Sequence, residues 1–140
     1  MKNTLSTWAQ QFLREDRVAV VSTLNKDGSP FVTTIWYVFQ EDGTIIMNTP
    51  SGTQKVKNLQ RDPRIGVCVG DGMRSVSLYG TVTISSDQNV MRRDLELLTA
   101  RYVKDEAARA QTLAFFLQQD RVSLHFKPVR VTEFSVDQGH

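Results

Sequence analysis

Residues 48–59 carry the side chains best suited to hold a phosphate group. Ser51 and Gln54 have the spacing of a capping box, which predicts Ser51 as the N-cap of a short helix and places Lys55 in its first or second turn. A helix N-terminus offers free backbone N–H groups and a partial positive charge, so it attracts phosphate, and a neighbouring lysine strengthens the attraction. Lys57 lies about 200° further around a regular helix and faces elsewhere. A capped surface helix with solvated lysines fits the same residues, and both interpretations stay open.

Residues 31–37, Phe-Val-Thr-Thr-Ile-Trp-Tyr, combine hydroxyl groups with aromatic rings on one strand. Because side chains alternate between the two faces of a strand, Thr33, Ile35 and Tyr37 share one face. Thr34 and Trp36 share the other. One face must belong to the core, which leaves the other to contact a flat ring. An ordinary two-faced strand with an exposed or interfacial tryptophan also explains the pattern.

Other kinds of chemistry find little support in the sequence. His125 and His140 are the only histidines, and no Ser-His-Asp arrangement, multi-histidine zinc site, phosphate loop or carboxylate pair stands out. We therefore expect no metal site and identify no catalytic side chain. If the protein is an enzyme, a cofactor must carry the difficult step. His125 is interpreted as a strand residue packed against a neighbour.

Composition and charge indicate an ordinary globular chain. The 140 residues are 40% hydrophobic and 23% charged, which fits one domain over 1–140. Cys68, the single cysteine, cannot form an internal disulfide, and no apolar run resembles a signal peptide or a membrane span. We therefore expect a cytoplasmic protein. Its net charge of +2 is too small to indicate nucleic acid or a membrane as a partner.

Short strands with appended helices must position these residues. Periodicity and turn residues predict, in chain order, a helix over 4–15, a meander of strands over 18–24, 31–39 and 44–49, a helix over 52–61, a hairpin of 64–69 with 75–85, a helical stretch over 87–119, and strands over 121–126 and 129–135. Because the helices are appended rather than interleaved, the order favours a closed or nearly closed antiparallel barrel over a parallel sheet.

Several segments, in their order and spacing, resemble the pyridoxamine 5′-phosphate oxidase-like proteins, a superfamily of flavin and deazaflavin split barrels. The resemblance is carried by residues 18–24, the turn 26–30 (Lys-Asp-Gly-Ser-Pro), the strand 32–37, the segment 55–64, residues 79–82 and the closing pair of strands. It implies a mainly β member of the α+β class. The expected fold is a six-stranded antiparallel split β-barrel with appended helices, and it forms a homodimer with two cofactor sites at the interface.

The resemblance also implies a cofactor and the residues that bind it. The cofactor is expected to be FMN, with the deazaflavin coenzyme F-420 as the alternative, and hydride passes between it and a small organic substrate. The C-terminal signature of the true pyridoxamine phosphate oxidases is missing, so vitamin B6 oxidation is not expected. The implied contacts are the ring against Thr33, Thr34, Ile35 and Trp36, the ribityl chain at Asn48 and Thr49, the phosphate at Lys55 and Lys57, and the partner subunit's contribution from the region of Met73, Arg74, Ser75 and Ser77.

Two alternatives without catalysis remain at this stage. A barrel that binds single-stranded nucleic acid would stack bases on Trp36 and Tyr37 and follow the phosphate backbone with basic residues, namely Lys55, Lys57, Arg61 and Arg64. The modest net charge argues against this partner. A flavin store or sensor without turnover also fits the sequence.

Overall fold

The computed structural model describes residues 2–137, and His140 lies outside that range. Within it the chain forms eight strands and four helices. Their order is α1 (Thr7–Arg14), β1 (Ala19–Leu24), β2 (Pro30–Ile35), β3 (Val38–Phe39), β4 (Ile45–Pro50), α2 (Gln54–Arg61), β5 (Arg64–Gly70), β6 (Arg74–Ser85), α3 (Gln88–Tyr102), α4 (Glu106–Leu117), β7 (Arg121–Phe126) and β8 (Arg130–Ser135). None of the helices in this range is both long and apolar enough to cross a membrane.

The strands form one curled antiparallel sheet in the order β2-β1-β5-β6-β7-β4-β3. The long strand β6 joins its two halves, because residues 75–81 pair with β5 and residues 82–85 pair with β7. β8 adds to the first half by pairing with β6. This architecture confirms the split-barrel fold expected from the sequence, with eight strands in place of six.

The predicted continuous strand over 31–39 is wrong. β2 ends at Ile35 and pairs only with β1, whereas β3 begins at Val38 and pairs only with β4. The expected meander is therefore two hairpins at opposite edges of the sheet. Between them the backbone N–H of Tyr37 donates to the hydroxyl of Tyr102 at 3.3 Å, and the single hydrogen of that hydroxyl is shared between the carbonyls of Tyr37 and Arg17. A helix residue thus satisfies backbone groups that a strand would pair.

The predicted helical stretch over 87–119 is two helices. α3 ends at Tyr102, and α4 begins after Asp105, whose carboxylate accepts a hydrogen bond from the N–H of Ala108 at 2.8 Å. Asp105 is therefore an N-cap that starts a new helix. The helix predicted over 4–15 also proves shorter, since α1 begins at Thr7.

The core lies inside the curl of the sheet and is closed at one end by α1. Phe12 and Leu13 of α1 are almost completely buried, as is Tyr37. The hydroxyl of Tyr37 donates to the carbonyl of Leu13 at 2.8 Å, so the largest buried side chain also satisfies its polar atom. α3 packs against the other half of the sheet, on β4 and β7, and α4 packs on α3.

Candidate functional site

A pocket of about 440 Å³ lies where β2, β4, α2, α3 and the start of β7 meet. Its volume falls within the range of roughly 300–1,000 Å³ that is typical of small-molecule sites. The lining residues are Val18, Thr34, Ile35, Trp36, Asn48, Thr49, Lys55, Leu95, Leu98, Phe116 and Arg121. The lining thus combines two cations and three uncharged hydrogen-bonding side chains with aromatic and aliphatic surface.

Six of the residues predicted to bind a cofactor line this pocket, namely Thr34, Ile35, Trp36, Asn48, Thr49 and Lys55. They come from three elements that the sheet topology brings together. β2 supplies Thr34 and Ile35, and Trp36 follows directly after its end. β4 supplies Asn48 and Thr49, and the first turn of α2 supplies Lys55. Lys55 therefore lines the pocket, and its role in binding phosphate stays a prediction.

The capping box predicted at the start of α2 is wrong. The helix begins at Gln54 with Thr53 at the N-cap position, and no side chain caps it. The hydroxyl of Ser51 instead donates to the carbonyl of Asp120 at 3.1 Å, and the side-chain amide of Gln54 donates to Asn58 at 2.9 Å. Because the backbone N–H of Ser51 also donates to Asp120, Ser51 ties the start of α2 to the start of β7.

Lys55 is half-buried and points toward the end of β4. Its ammonium group donates to the hydroxyl of Thr49 at 2.8 Å. Burial lowers the pKa of Lys55, and the positive charge of Arg121 lowers it further. No carboxylate among residues 2–137 forms an ion pair with Lys55, so its charge is left without a counter-ion in the described part of the chain.

Arg121 is the second cation of the pocket, and sequence reasoning missed it. It is 9% exposed, and burial lowers the pKa of its guanidinium group. Its Nε donates to Oδ1 of Asn48 at 2.7 Å, and the guanidinium lies 4.4 Å from the ring centre of Phe116. A neutral amide, the side chain of Gln119, accepts from Nη1. These partners are all uncharged, so the positive charge of Arg121 also has no counter-ion among the described residues.

The position of Arg121 depends on strand register. It is the first residue of β7 and pairs with Pro50 at the end of β4, which places it beside Asn48 and opposite α2. No local motif marks this arginine in the sequence. Only the pairing of two strands that lie far apart in the chain brings it to the pocket.

Two aromatic side chains, Trp36 and Phe116, line the pocket, and Tyr102 lies behind Trp36. The rings of Trp36 and Tyr102 stack at 4.7 Å with an angle of 14° between their planes. Phe116 meets Trp36 edge-on at 6.1 Å. Trp36 is half-buried, whereas Ile35 and Tyr37 are buried, so the predicted alternation holds. Because Tyr102 covers one face of Trp36, a bound ring can contact only the remaining face or edge.

The stacking residues named for the nucleic-acid alternative are not exposed as that alternative requires. Tyr37 is completely buried, and Trp36 is already stacked on Tyr102, so neither forms an exposed stacking platform. Arg61 donates to the carbonyl of Leu24. Arg64 forms an ion pair with Asp62 at 2.7 Å, and these hydrogen bonds lower the pKa of that carboxyl group to about 2.

The other predicted site residues lie outside the pocket of the single chain. Thr33 pairs with the buried Val21 and so sits on the core side of β2. Lys57 is exposed on α2. The residues assigned to the partner subunit's site, Met73, Arg74, Ser75 and Ser77, lie at the β5–β6 hairpin and along β6, which two strands separate from β2. Their contribution to a second subunit's pocket stays a prediction.

One outer face of the sheet carries exposed apolar side chains. Val32 is 60% exposed and Val20 is 40% exposed, and Tyr79 lies on the same face. Val20 sits opposite Thr34 on one side, which connects this face to the pocket. On the other side, Val20 pairs with a residue of β5 that in turn pairs with Ser77 on β6. We refer to this surface as the outer face of the sheet.

Comparison with known proteins agrees with the expected family. Residues 6–135 match the family model described as pyridoxamine 5′-phosphate oxidase. Over 119 residues the chain is 31% identical to an F-420H(2)-dependent biliverdin reductase from Mycobacterium tuberculosis (strain CDC 1551 / Oshkosh). That alignment covers 84% of this chain and 86% of the relative.

Solved structures show the same fold. A conserved hypothetical protein from Mycobacterium tuberculosis superposes with a TM-score of 0.82 at 24% identity, covering 96% of this chain and 87% of that one. A pyridoxamine 5′-phosphate oxidase-related, FMN binding protein from Nostoc punctiforme PCC 73102 gives a TM-score of 0.68 at 17% identity, with the same coverage of 96% and 87%. At these identities the similarity shows the fold alone.

Proposed function

Because this chain belongs to the pyridoxamine 5′-phosphate oxidase family, we propose that it is an oxidoreductase that binds a phosphorylated flavin-type cofactor in the pocket. Hydride then passes between the cofactor and a small organic substrate. The observation that carries this proposal is a pair of cations, the half-buried Lys55 and the buried Arg121, which face one pocket without a carboxylate partner among the described residues.

A phosphate group fits this pair of cations. Burial is the main cause of the lowered pKa of Lys55, and repulsion by the nearby positive charge of Arg121 lowers it further. An anion between them removes the repulsion and accepts charge-assisted hydrogen bonds, each worth about 1.5–3 kcal/mol. The hydroxyl of Thr49, 2.8 Å from the Lys55 ammonium, is a further donor in reach of the same position.

The rest of the pocket fits a flat ring. Trp36 and Phe116 supply aromatic surface, and Leu95 and Leu98 of α3 supply aliphatic surface that excludes water. Flavin-type cofactors supply hydride transfer when bound, and the protein supplies binding and orientation. In this pocket, Lys55 and Arg121 would hold the charged end, while Thr34, Ile35 and Trp36 would position the ring.

Both FMN and coenzyme F-420 carry a phosphate that suits the two cations. The relative at 31% identity is named for its dependence on reduced F-420, whereas the FMN binding protein shares 17% identity. The higher similarity favours the deazaflavin as the first cofactor to test, although our prediction from sequence was FMN. Biliverdin is the corresponding first acceptor.

We also propose that the protein works as a homodimer through the outer face of the sheet. Contiguous exposed apolar surface of this kind marks an interaction site more often than a free surface. Val20 on this face adjoins the pocket residue Thr34, so a second chain seated there would border the pocket. Ser77 lies on the same face, as the prediction for the partner's contribution requires.

Binding and turnover of the purified protein test the proposal. We expect FMN or F-420 to bind with a stoichiometry of one per chain, and the reduced cofactor to be oxidised in the presence of an acceptor such as biliverdin. Binding without turnover for a panel of acceptors would instead identify a cofactor store or sensor. If neither cofactor binds, the proposal fails.

A further inference from the structure

Asp94 and His125 form a hydrogen-bonded pair outside the pocket. The carboxylate of Asp94 on α3 is completely buried, and its Oδ2 lies 2.6 Å from Nε2 of His125 on β7. Its other oxygen accepts from Arg93 at 3.3 Å, but the side chain of Arg93 is 60% exposed to solvent. His125 is therefore the only interior partner of this carboxylate in the described part of the chain. The sequence-based interpretation of His125 as a packed strand residue missed this partner.

The pair lies directly behind one wall of the pocket. Asp94 immediately precedes Leu95 and lies about one helical turn before Leu98, and both leucines line the pocket. Further along the same helix, Tyr102 stacks on Trp36 at 4.7 Å. The pair therefore connects to the pocket through a single rigid element, α3, without contacting the pocket itself.

The other end of α3 has its own fixed anchor. Arg101 donates to the carbonyls of Leu13 and Tyr37, and Tyr102 donates to the carbonyl of Arg17. These bonds hold the C-terminal turn of α3 against α1 and the β2–β3 connection. Between the two anchors, α3 packs on β4 and β7. Apolar packing sets the distance between the helix and the sheet, but it does not prevent the helix from sliding or turning on the sheet.

We propose that Asp94 and His125 are positioning residues for the pocket. Their hydrogen bond fixes where α3 sits on β7, and through α3 it sets the positions of Leu95 and Leu98 at the pocket and of Tyr102 against Trp36. A directional hydrogen bond to a buried carboxylate side chain specifies one arrangement more strictly than apolar packing does. The positions of the pocket residues on α3 follow from the structure, and only the identity of the ligand rests on the proposed function.

Substitution of Asp94 separates positioning from general stability. Asp94→Ala removes the bond, whereas Asp94→Asn keeps an oxygen that can accept from Nε2 of His125. We expect Asp94→Ala to weaken FMN or F-420 binding at least tenfold, and Asp94→Asn to restore binding to within about threefold. Glu96→Ala is the matched control, because Glu96 lies on the same helix in an exposed ion pair with Arg92 at 3.2 Å. It should leave binding unchanged.

Trp36 fluorescence provides a readout that needs no ligand. In a Trp8→Phe background Trp36 is the remaining tryptophan, and its stacking on Tyr102 makes its emission sensitive to the position of α3. We expect Asp94→Ala to shift this emission in the ligand-free protein, and Asp94→Asn and Glu96→Ala to leave it unchanged. If wild-type protein binds neither cofactor, the proposed function fails, but the emission shift still decides this inference.

The inference is overturned if folded Asp94→Ala matches wild type in both affinity and emission. His125→Ala replaces it if Asp94→Ala does not fold, since the side chain of His125 is 28% exposed and water can fill its place. If both variants fail to fold, the pair is a requirement of the fold and not a positioning device, which also overturns the inference.

Discussion

Lys55 on α2 and Arg121 at the start of β7 direct two positive charges into one pocket, and no carboxylate of residues 2–137 forms an ion pair with either. Each has only uncharged partners, Thr49 for the lysine and Asn48 with Gln119 for the arginine. Proteins seldom bury charge without compensation, because the loss of hydration is expensive. An arrangement of this kind is explained by an anionic ligand that supplies the missing charge.

Lys55→Met should weaken cofactor binding by roughly 10- to 100-fold, because it removes one charge-assisted hydrogen bond to the phosphate. The fold should remain intact, with a free energy of unfolding of the ligand-free protein that is unchanged or higher by up to about 1 kcal/mol, since an uncompensated charge disappears. Isothermal titration and thermal unfolding measure the two effects.

Lys57→Met is the comparison for that experiment, because Lys57 lies on the same helix but is exposed and outside the pocket. We expect less than a threefold change in affinity. An equal loss for both variants would show that the phosphate sits over α2 in general and not between Lys55 and Arg121.

Arg121→Gln should weaken binding by about tenfold or more and also lower stability by about 1 kcal/mol. The second effect follows because the buried side-chain oxygen of Asn48 loses its donor at 2.7 Å. Urea unfolding of the ligand-free protein reports the stability change, and cofactor titration reports the affinity. Full affinity in a folded Arg121→Gln protein would remove this residue from the site.

Affinity and stability should respond to alkaline pH in opposite directions. The pKa of Lys55 is lowered in the folded protein, so between that value and the ordinary lysine value of 10.5 the unfolded chain binds more protons than the folded one. Stability of the ligand-free protein therefore gains from Lys55 as pH rises through this range. Affinity for the anionic cofactor falls over the same range, because neutral Lys55 no longer pairs with phosphate. Lys55→Met should lack both trends, and identical pH profiles for the two proteins would refute this assignment.

The sequence was sufficient for the fold class and for six of the residues that line the pocket. Neighbouring residues predicted the helix that carries Lys55 and the strand that ends before Trp36. Arg121 and the Asp94–His125 pair depend on the register of β7 against β4 and on the docking of α3, which join residues far apart in the chain. The capping box failed for a related reason, since Ser51 bonds to the carbonyl of Asp120 instead of to its own helix.

Val20→Lys should disrupt the proposed dimer. Val20 is 40% exposed on the outer face of the sheet, and a lysine there would place charge in the centre of an apolar interface. Leu97→Lys is the matched control, because Leu97 is 39% exposed on α3, away from this face. Light scattering after size exclusion should show a monomer for Val20→Lys and a dimer for Leu97→Lys. The same oligomeric state for both variants would place the interface elsewhere.

Native mass spectrometry of the wild-type protein with excess FMN and F-420 tests the central claim most directly, because it reports the number of chains and the mass of any bound molecule together. We predict two chains carrying two molecules of one phosphorylated cofactor, and a spectrum without bound cofactor for the Lys55→Met, Arg121→Gln double variant at the same concentrations. A wild-type spectrum with only cofactor-free monomer would contradict the account.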